Sequence, residues 1–152
     1  MEFVKNHQKT ALIYEDKPVS YEELIKNSDF YGSKLQIEKE EKVLIFSPSK
    51  PEMIYSFFGI WEQKGCVVIA DYSSSVEELI YVLKDSEAKY MYTTLESKEK
   101  VEKALEVLPY KVNVLFFENN KIDDYKSNKQ AVTAPPKKSI ALILYTSGTT
   151  GN

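Results

Sequence analysis

Thr146, Ser147, Gly148, Thr149, Thr150 and Gly151 stand in consecutive positions, so four hydroxyl side chains and two glycines share six residues. Glycine lets the backbone take turns that aim successive N–H groups into one hollow, and such a nest binds anions. Hydroxyls add donors that also accept. The run follows "SIALILY" (139–145), an apolar stretch of strand character. A hydroxyl-rich, glycine-hinged turn at the exit of a buried strand suits a polyphosphate. It differs from the Walker loop, which requires G-x-x-x-x-G-K-[ST] with a lysine on the terminal phosphates. Here that interval is missing and Asn152 follows the last glycine, so a P-loop nucleotide hydrolase is not expected.

Composition narrows what else could act. The chain has 152 residues, 43% hydrophobic and 28% charged, which is material for one domain with a packed core. Its 20 basic residues are all lysines, set against 23 acids and scattered, which argues against a nucleic-acid or polybasic membrane surface. Without arginine there is no planar guanidinium fork, so a bound anion must be held by backbone N–H groups, hydroxyls or lysines. Cys66 is the only cysteine and His7 the only histidine, which excludes an internal disulfide and a cysteine metal cluster. His7 lies near a terminus expected to be mobile, a poor place for a general base. "MEFVKNHQKT" lacks the apolar centre of a signal peptide. No stretch reaches the ~18 apolar residues of a membrane span. A cytoplasmic protein is expected.

The elements that must position the loop follow from hydrophobic period. "TALIYEDKPVSY" (10–21) reads as a small N-terminal β-hairpin around Glu15-Asp16-Lys17. Ser20 and Glu23 form a capping-box pattern for a helix in which Gly32 is a weak point. Short apolar runs at 42–47, 66–70, 89–94, 112–117 and 139–145 predict five strands. Between the first four lie helical segments: one with Pro51 at its first turn and Gly65 at its stop, one with Ser75 and Glu78 as a second capping box, and one carrying Val101, Leu105 and Leu108. Ile54, Phe57, Phe58 and Trp61 share a helical face and are expected to pack in the core. Residues 118–138 read as a long polar loop. The alternation predicts an α/β fold: a mostly parallel five-stranded sheet with helices on both faces, preceded by the hairpin, in a single domain over 1–152. Ligands of such sheets sit beyond the carboxyl ends of strands, which singles out Ser47, Asp71, Thr94 and the loop after Tyr145.

"YTSGTTGN" (145–152) closely resembles the glycine/threonine-rich signature of the adenylate-forming (AMP-binding) superfamily, which includes acyl-CoA synthetases, peptide-synthetase adenylation domains and luciferases. "VSYEEL" (19–24) resembles the family's early "(L/V)(T/S)Y-x-E-L" element. Within "GIWEQKGCVVIADYSSSVEELIYVLKDSEAKYMYT" (59–93), Gly65, Glu78, Leu79, Asp85, Ser86, Ala88 and Lys89 fall on a further family pattern. One departure stands out: where the family often has a proline after the strand, Asp71 is followed by Tyr72 and three serines.

The resemblance implies that Thr146, Ser147, Gly148, Thr149, Thr150 and Gly151 hold the β- and γ-phosphates of ATP, with Mg and a small-molecule carboxylate as further participants and coenzyme A as acceptor. It also implies that the signature continues into Pro-Lys-Gly, so the chain is expected to be the N-terminal part of a longer acyl-CoA synthetase. The remainder of the parent chain would then be its partner. No catalytic residue and no tight nucleotide binding are expected within these 152 residues. Two other readings stay open. One is an amino-acid-activating adenylation domain of the peptide-synthetase type. The other is a non-catalytic flavodoxin-like module, which would need a phosphate loop after its first strand, where "SPSKPE" has no glycine.

Overall fold

Lys42–Phe46 (β4) is the strand around which the others are ordered in the computed structural model, which describes residues 1–146. On one side it pairs with Cys66–Ile69 (β5), and β5 with Leu142–Leu144 (β9). On the other side it pairs with Tyr90–Thr93 (β6), and β6 with Asn113–Phe116 (β7). All four pairings are parallel and the order is β7-β6-β4-β5-β9, the five-stranded parallel sheet expected.

Successive residues of a strand face opposite sides, and in β4 both sides are dry. Val43 and Ile45 join Val67 and Tyr92 in one core; Leu44 and Phe46 join Val68 and Met91 in the other. Helices Tyr21–Gly32 (α1) and Pro51–Glu62 (α2) cover the first face with Leu24, Phe30, Tyr31, Tyr55 and Ile60. Helices Val76–Ser86 (α3) and Lys98–Leu105 (α4) cover the second with Leu79, Val82, Leu83, Val101 and Ala104. Two-sided cover is why the strands read as continuous apolar runs rather than alternating ones.

Local signals act where expected at several ends. In α3 the Glu78 N–H donates to Ser75 Oγ at 3.1 Å and the Ser75 N–H to Glu78 Oε2 at 2.7 Å, a complete capping box. At α1 only half of the box forms, with the Glu23 N–H donating to Ser20 Oγ. Thr10–Tyr14 (β2) and Lys17–Ser20 (β3) make the hairpin, with Glu15 and Asp16 at φ 48° and 62°. Two positive-φ residues are what a two-residue turn needs to match strand twist.

Several expectations are corrected. Gly65 does not supply the turn that ends α2; Lys64 takes the left-handed conformation at φ 60°. Gly65 is there for space, since a Cβ would lie 2.6 Å from Ile37 Cδ1 and 2.9 Å from Ile60 Cγ2. The aromatic stripe of α2 is not its most buried face. Ile54 is 37% exposed and Phe57, Phe58 and Trp61 are half-buried, whereas Tyr55, Ser56, Gly59 and Ile60 are buried. The reason is the crossing with α1, where a Cβ on Gly59 would lie 2.6 Å from both Gly32 N and Ser28 O. Backbones that close leave no room for rings at the crossing itself, so Phe57, Phe58 and Trp61 pack against the first core from its rim, where Phe58 and Trp61 also meet Phe3. Gly32, the weak point of α1 by propensity, is the other half of that contact.

The N-terminus is not a free tail. Glu2–Lys5 (β1) pairs antiparallel with Ala131–Thr133 (β8), a strand inside the stretch expected as loop. The segment before β8 is tied to the helices: Tyr125 and Ser127 hydroxyls donate to Asp29 Oδ2 at 3.0 and 2.6 Å, and Lys129 pairs with Glu62 at 3.1 Å. His7 meets the ring of Tyr21 edge-on. No helix among the described residues is long and apolar enough to cross a membrane.

Gly59→Ala adds about 1 kcal/mol of helix propensity but forces backbone overlap costing about 1–3 kcal/mol. A net loss of up to roughly 2 kcal/mol in a urea titration is expected, and a gain would refute the close crossing. The phenols of Tyr31 and Tyr92 are pushed well up by burial, with Tyr92 donating to the Tyr31 carbonyl. A raised folded value for a neutral acid means its contribution is whole below the ordinary phenol range and lost above it. Stability should therefore hold up to a pH of about 10 and fall beyond, as Tm measured from pH 8 to 11 will report; Tyr92→Phe should flatten that fall.

Candidate functional site

Parallel register sets the carboxyl ends of β4, β5, β6 and β9 along one edge of the sheet, and the four positions singled out from sequence all lie there. Ser47, just past β4, is buried and donates from Oγ to the Pro48 carbonyl at 2.9 Å. Asp71, past β5, is exposed, and its Oδ1 accepts from the Ser73 N–H at 2.8 Å and the Ser73 hydroxyl at 2.7 Å. Those two donors hold its carboxyl below the usual carboxylate range. Thr94, past β6, is buried and shares a 2.8 Å hydrogen bond with the Tyr72 hydroxyl. Thr146 leaves β9 exposed to solvent. Ser147, Gly148, Thr149, Thr150 and Gly151 lie outside the described residues.

Hydroxyls stitch this edge together. Thr93 Oγ1 donates to the Phe46 carbonyl at 2.7 Å, and the Ser97 hydroxyl lies 2.6 Å from it while donating to the Thr94 carbonyl at 2.9 Å. Tyr72 occupies the place where the family often has proline. Its ring lies 5.1 Å from that of Phe46 and its hydroxyl reaches β6, so this departure joins the exits of β5 and β6. Lys100 of α4 donates to the Ser74 carbonyl at 2.8 Å and lies over the Phe46 ring at 5.7 Å. Strand-end hydroxyls that already have partners are rigid, so what they offer a ligand is a fixed wall rather than free donors.

The start of the hydroxyl-glycine run is held from two sides. The Tyr145 N–H continues the ladder by donating to the Ile69 carbonyl at 2.9 Å. The Tyr145 hydroxyl donates to Asp85 Oδ2 near the end of α3. Burial first, and then the Asp85 carboxylate, push the Tyr145 phenol up, so it stays protonated as a donor. The sequence holds no local signal for this pair, because sixty residues separate its members. Tyr72, Lys100 and Asp85 are the neighbours that spacing alone does not reveal.

A cavity of about 770 Å³ opens elsewhere, between the hairpin and the starts of α1 and α2, where Lys17, Glu23, Glu52 and Tyr55 line it. No group of three or more His, Cys, Asp or Glu able to hold a metal ion occurs among the described residues.

Comparison with known proteins agrees with the arrangement of the strands and their exits. The family model described as AMP-binding enzyme matches residues 2–152. A mycosubtilin synthase polypeptide of Bacillus subtilis is 30% identical over 144 residues, covering 93% of this chain and 5% of that protein. 4-Hydroxybutyrate–CoA ligase 2 of Metallosphaera sedula is 26% identical over 163 residues, covering 94% of this chain and 30% of that one. The solved anthranilate CoA ligase AuaEII, in complex with anthranoyl-AMP, superposes with a TM-score of 0.82 at 21% identity, covering 96% of this chain and 30% of that chain. The o-succinylbenzoate CoA synthetase MenE of Bacillus subtilis, in complex with the acyl-adenylate intermediate OSB-AMP, gives 0.77 at 22% identity, covering 96% and 37%. At those identities the two structures bear on the fold alone. The chain spans less than a third of the curated relatives' length. With the family model matching it over residues 2–152, this chain belongs to the AMP-binding enzyme family.

Proposed function

We propose that this chain is the phosphate-holding N-terminal part of an ATP-dependent, AMP-forming acyl ligase. The observation that supports the reading is the Thr146–Gly151 composition, which follows in the sequence directly on the parallel strand β9. A carboxylate oxygen attacks the α-phosphorus of ATP, the bond to the β-phosphate bridge breaks, and pyrophosphate leaves with the charge. The acyl-adenylate then carries a good leaving group, AMP, which a thiol such as that of coenzyme A displaces. Charge grows on the leaving pyrophosphate, and preorganised N–H and hydroxyl donors stabilise it without reorganising. Thr146, Ser147, Thr149 and Thr150, with the backbone freed by Gly148 and Gly151, supply those donors. Mg accompanies ATP in this chemistry, but the described residues offer no His, Cys, Asp or Glu cluster that fits it. The acyl pocket, the acids that bind ribose and metal, and the C-terminal domain with its catalytic lysine belong to the remainder of the parent chain. The names of the two CoA ligases and the CoA synthetase among the similar proteins support a CoA acceptor.

A second reading, activation of an amino acid for a carrier protein, is favoured by the 30% identity to the mycosubtilin synthase polypeptide. The two share the chemistry of the first half-reaction and differ in the acid activated and in the acceptor. Carboxylate-dependent exchange of pyrophosphate into ATP, run on the parent with fatty, aryl and amino acids, separates them by which acid supports exchange.

For the 152-residue chain alone, no carboxylate-dependent exchange is expected, and ATP should bind only in the millimolar range or more weakly, because one nest supplies few of a nucleotide's contacts. A titration by NMR should move the resonances of Thr146 and its successors with ATP and leave them unmoved by FMN. Saturable FMN binding would favour a flavodoxin-like module, and exchange activity would overturn the view that the machinery is incomplete.

A further inference from the structure

We propose that Asp85 is a positioning residue for the run that begins at Thr146, acting through Tyr145; this rests on the phosphate-holding reading above. β9 is an edge strand of three residues, and among the described residues it pairs with β5 alone. A ladder that short, open on one side, frays unless side chains hold its end. Tyr145 is held three ways. Its N–H donates to Ile69 O at 2.9 Å, its ring meets that of Tyr81 edge-on at 6.3 Å and 84°, and its hydroxyl donates to Asp85 Oδ2.

Asp85 rides on a rigid element, since Leu79, Val82 and Leu83 bury α3 in the second core and a complete capping box fixes its start. The carboxylate therefore reports the position of α3 to the residue immediately before Thr146. With Tyr145 pinned at backbone and hydroxyl, the direction in which the chain leaves the sheet is set. A nest works only when successive N–H groups converge on one point, so an error in that direction is carried into every donor that follows. Asp85 touches no phosphate in this scheme. It sets geometry, as a residue supporting a binding loop does.

The test uses the full 152-residue chain with Asp85→Ala, Asp85→Asn and Tyr145→Phe. Both partners lie at the surface end of the contact, so the folded state should persist and the Tm should stay close to that of the unsubstituted chain. Hydrogen exchange at the Tyr145 amide should quicken roughly three- to tenfold in Asp85→Ala and Tyr145→Phe, the span for one lost hydrogen bond of ordinary strength. Asp85→Asn keeps an acceptor oxygen and should restore slow exchange. The ATP concentration that half-shifts the Thr146 resonance should rise by a similar factor in the first two variants and not in the third. Unchanged exchange at Tyr145 in both Asp85→Ala and Tyr145→Phe overturns the proposal. Faster exchange alongside an unsubstituted chain that shows no response to ATP supports the anchor and defeats the phosphate reading instead.

Discussion

β4 has a hydrogen-bonded neighbour on each edge and a hydrophobic core on each face, and its Val43, Leu44, Ile45 and Phe46 are essentially without solvent exposure. The buried part of a strand in that position must be apolar, because an unpartnered polar side chain there would be stranded without water. It must also be parallel to its neighbours, since each connection returns across the sheet through a helix. Parallel register then places every carboxyl end on the same edge. The hydroxyls of Ser47, Thr93, Thr94 and Ser97, the Asp71 turn and the departure of Thr146 are neighbours for that reason.

The two faces of the sheet are built by different means. On the second face α3 and α4 rely on aliphatic side chains, Leu79, Leu83, Val101 and Ala104 among them. On the first, α1 and α2 approach until their backbones touch at Gly32 and Gly59, and the space below is filled by rings. Tyr31 stands edge-on to Tyr92 and Phe117, and Tyr92 stacks on Phe117. Edge-on and offset arrangements are those that aromatic quadrupoles favour. The segment from Tyr125 to Thr133 crosses this helix pair, held by Asp29 and Glu62, and brings β8 to β1.

Family membership and the geometry of the strand exits meet at Tyr145 and Thr146. The hydroxyl-glycine run starts where the sheet's last ladder bond is made, and the residue before it is fastened to α3. Much of the exit edge is self-satisfied, with Thr94 bonded to Tyr72 and Thr93 to the Phe46 carbonyl. A ligand there would meet a firm wall of hydroxyls that already have partners.

By itself the sequence determined whatever depends on neighbours along the chain. The period of apolar residues marked the strands of the central sheet and the helices between them. Ser75 and Glu78 marked the start of α3, and the hydroxyl-glycine spacing marked the candidate loop. Capping boxes, turns and amphipathic faces act within a few residues, so their signals are local. Only the tertiary structure decided what depends on distant partners. It paired β1 with β8 and passed the turn at the end of α2 to Lys64. It set the aromatic stripe of α2 at the rim of the first core, made Gly32 and Gly59 a contact, and set Asp85 against Tyr145. Each of these joins residues tens of positions apart or turns on a clash of atoms, and no spacing in one dimension encodes which surfaces will meet.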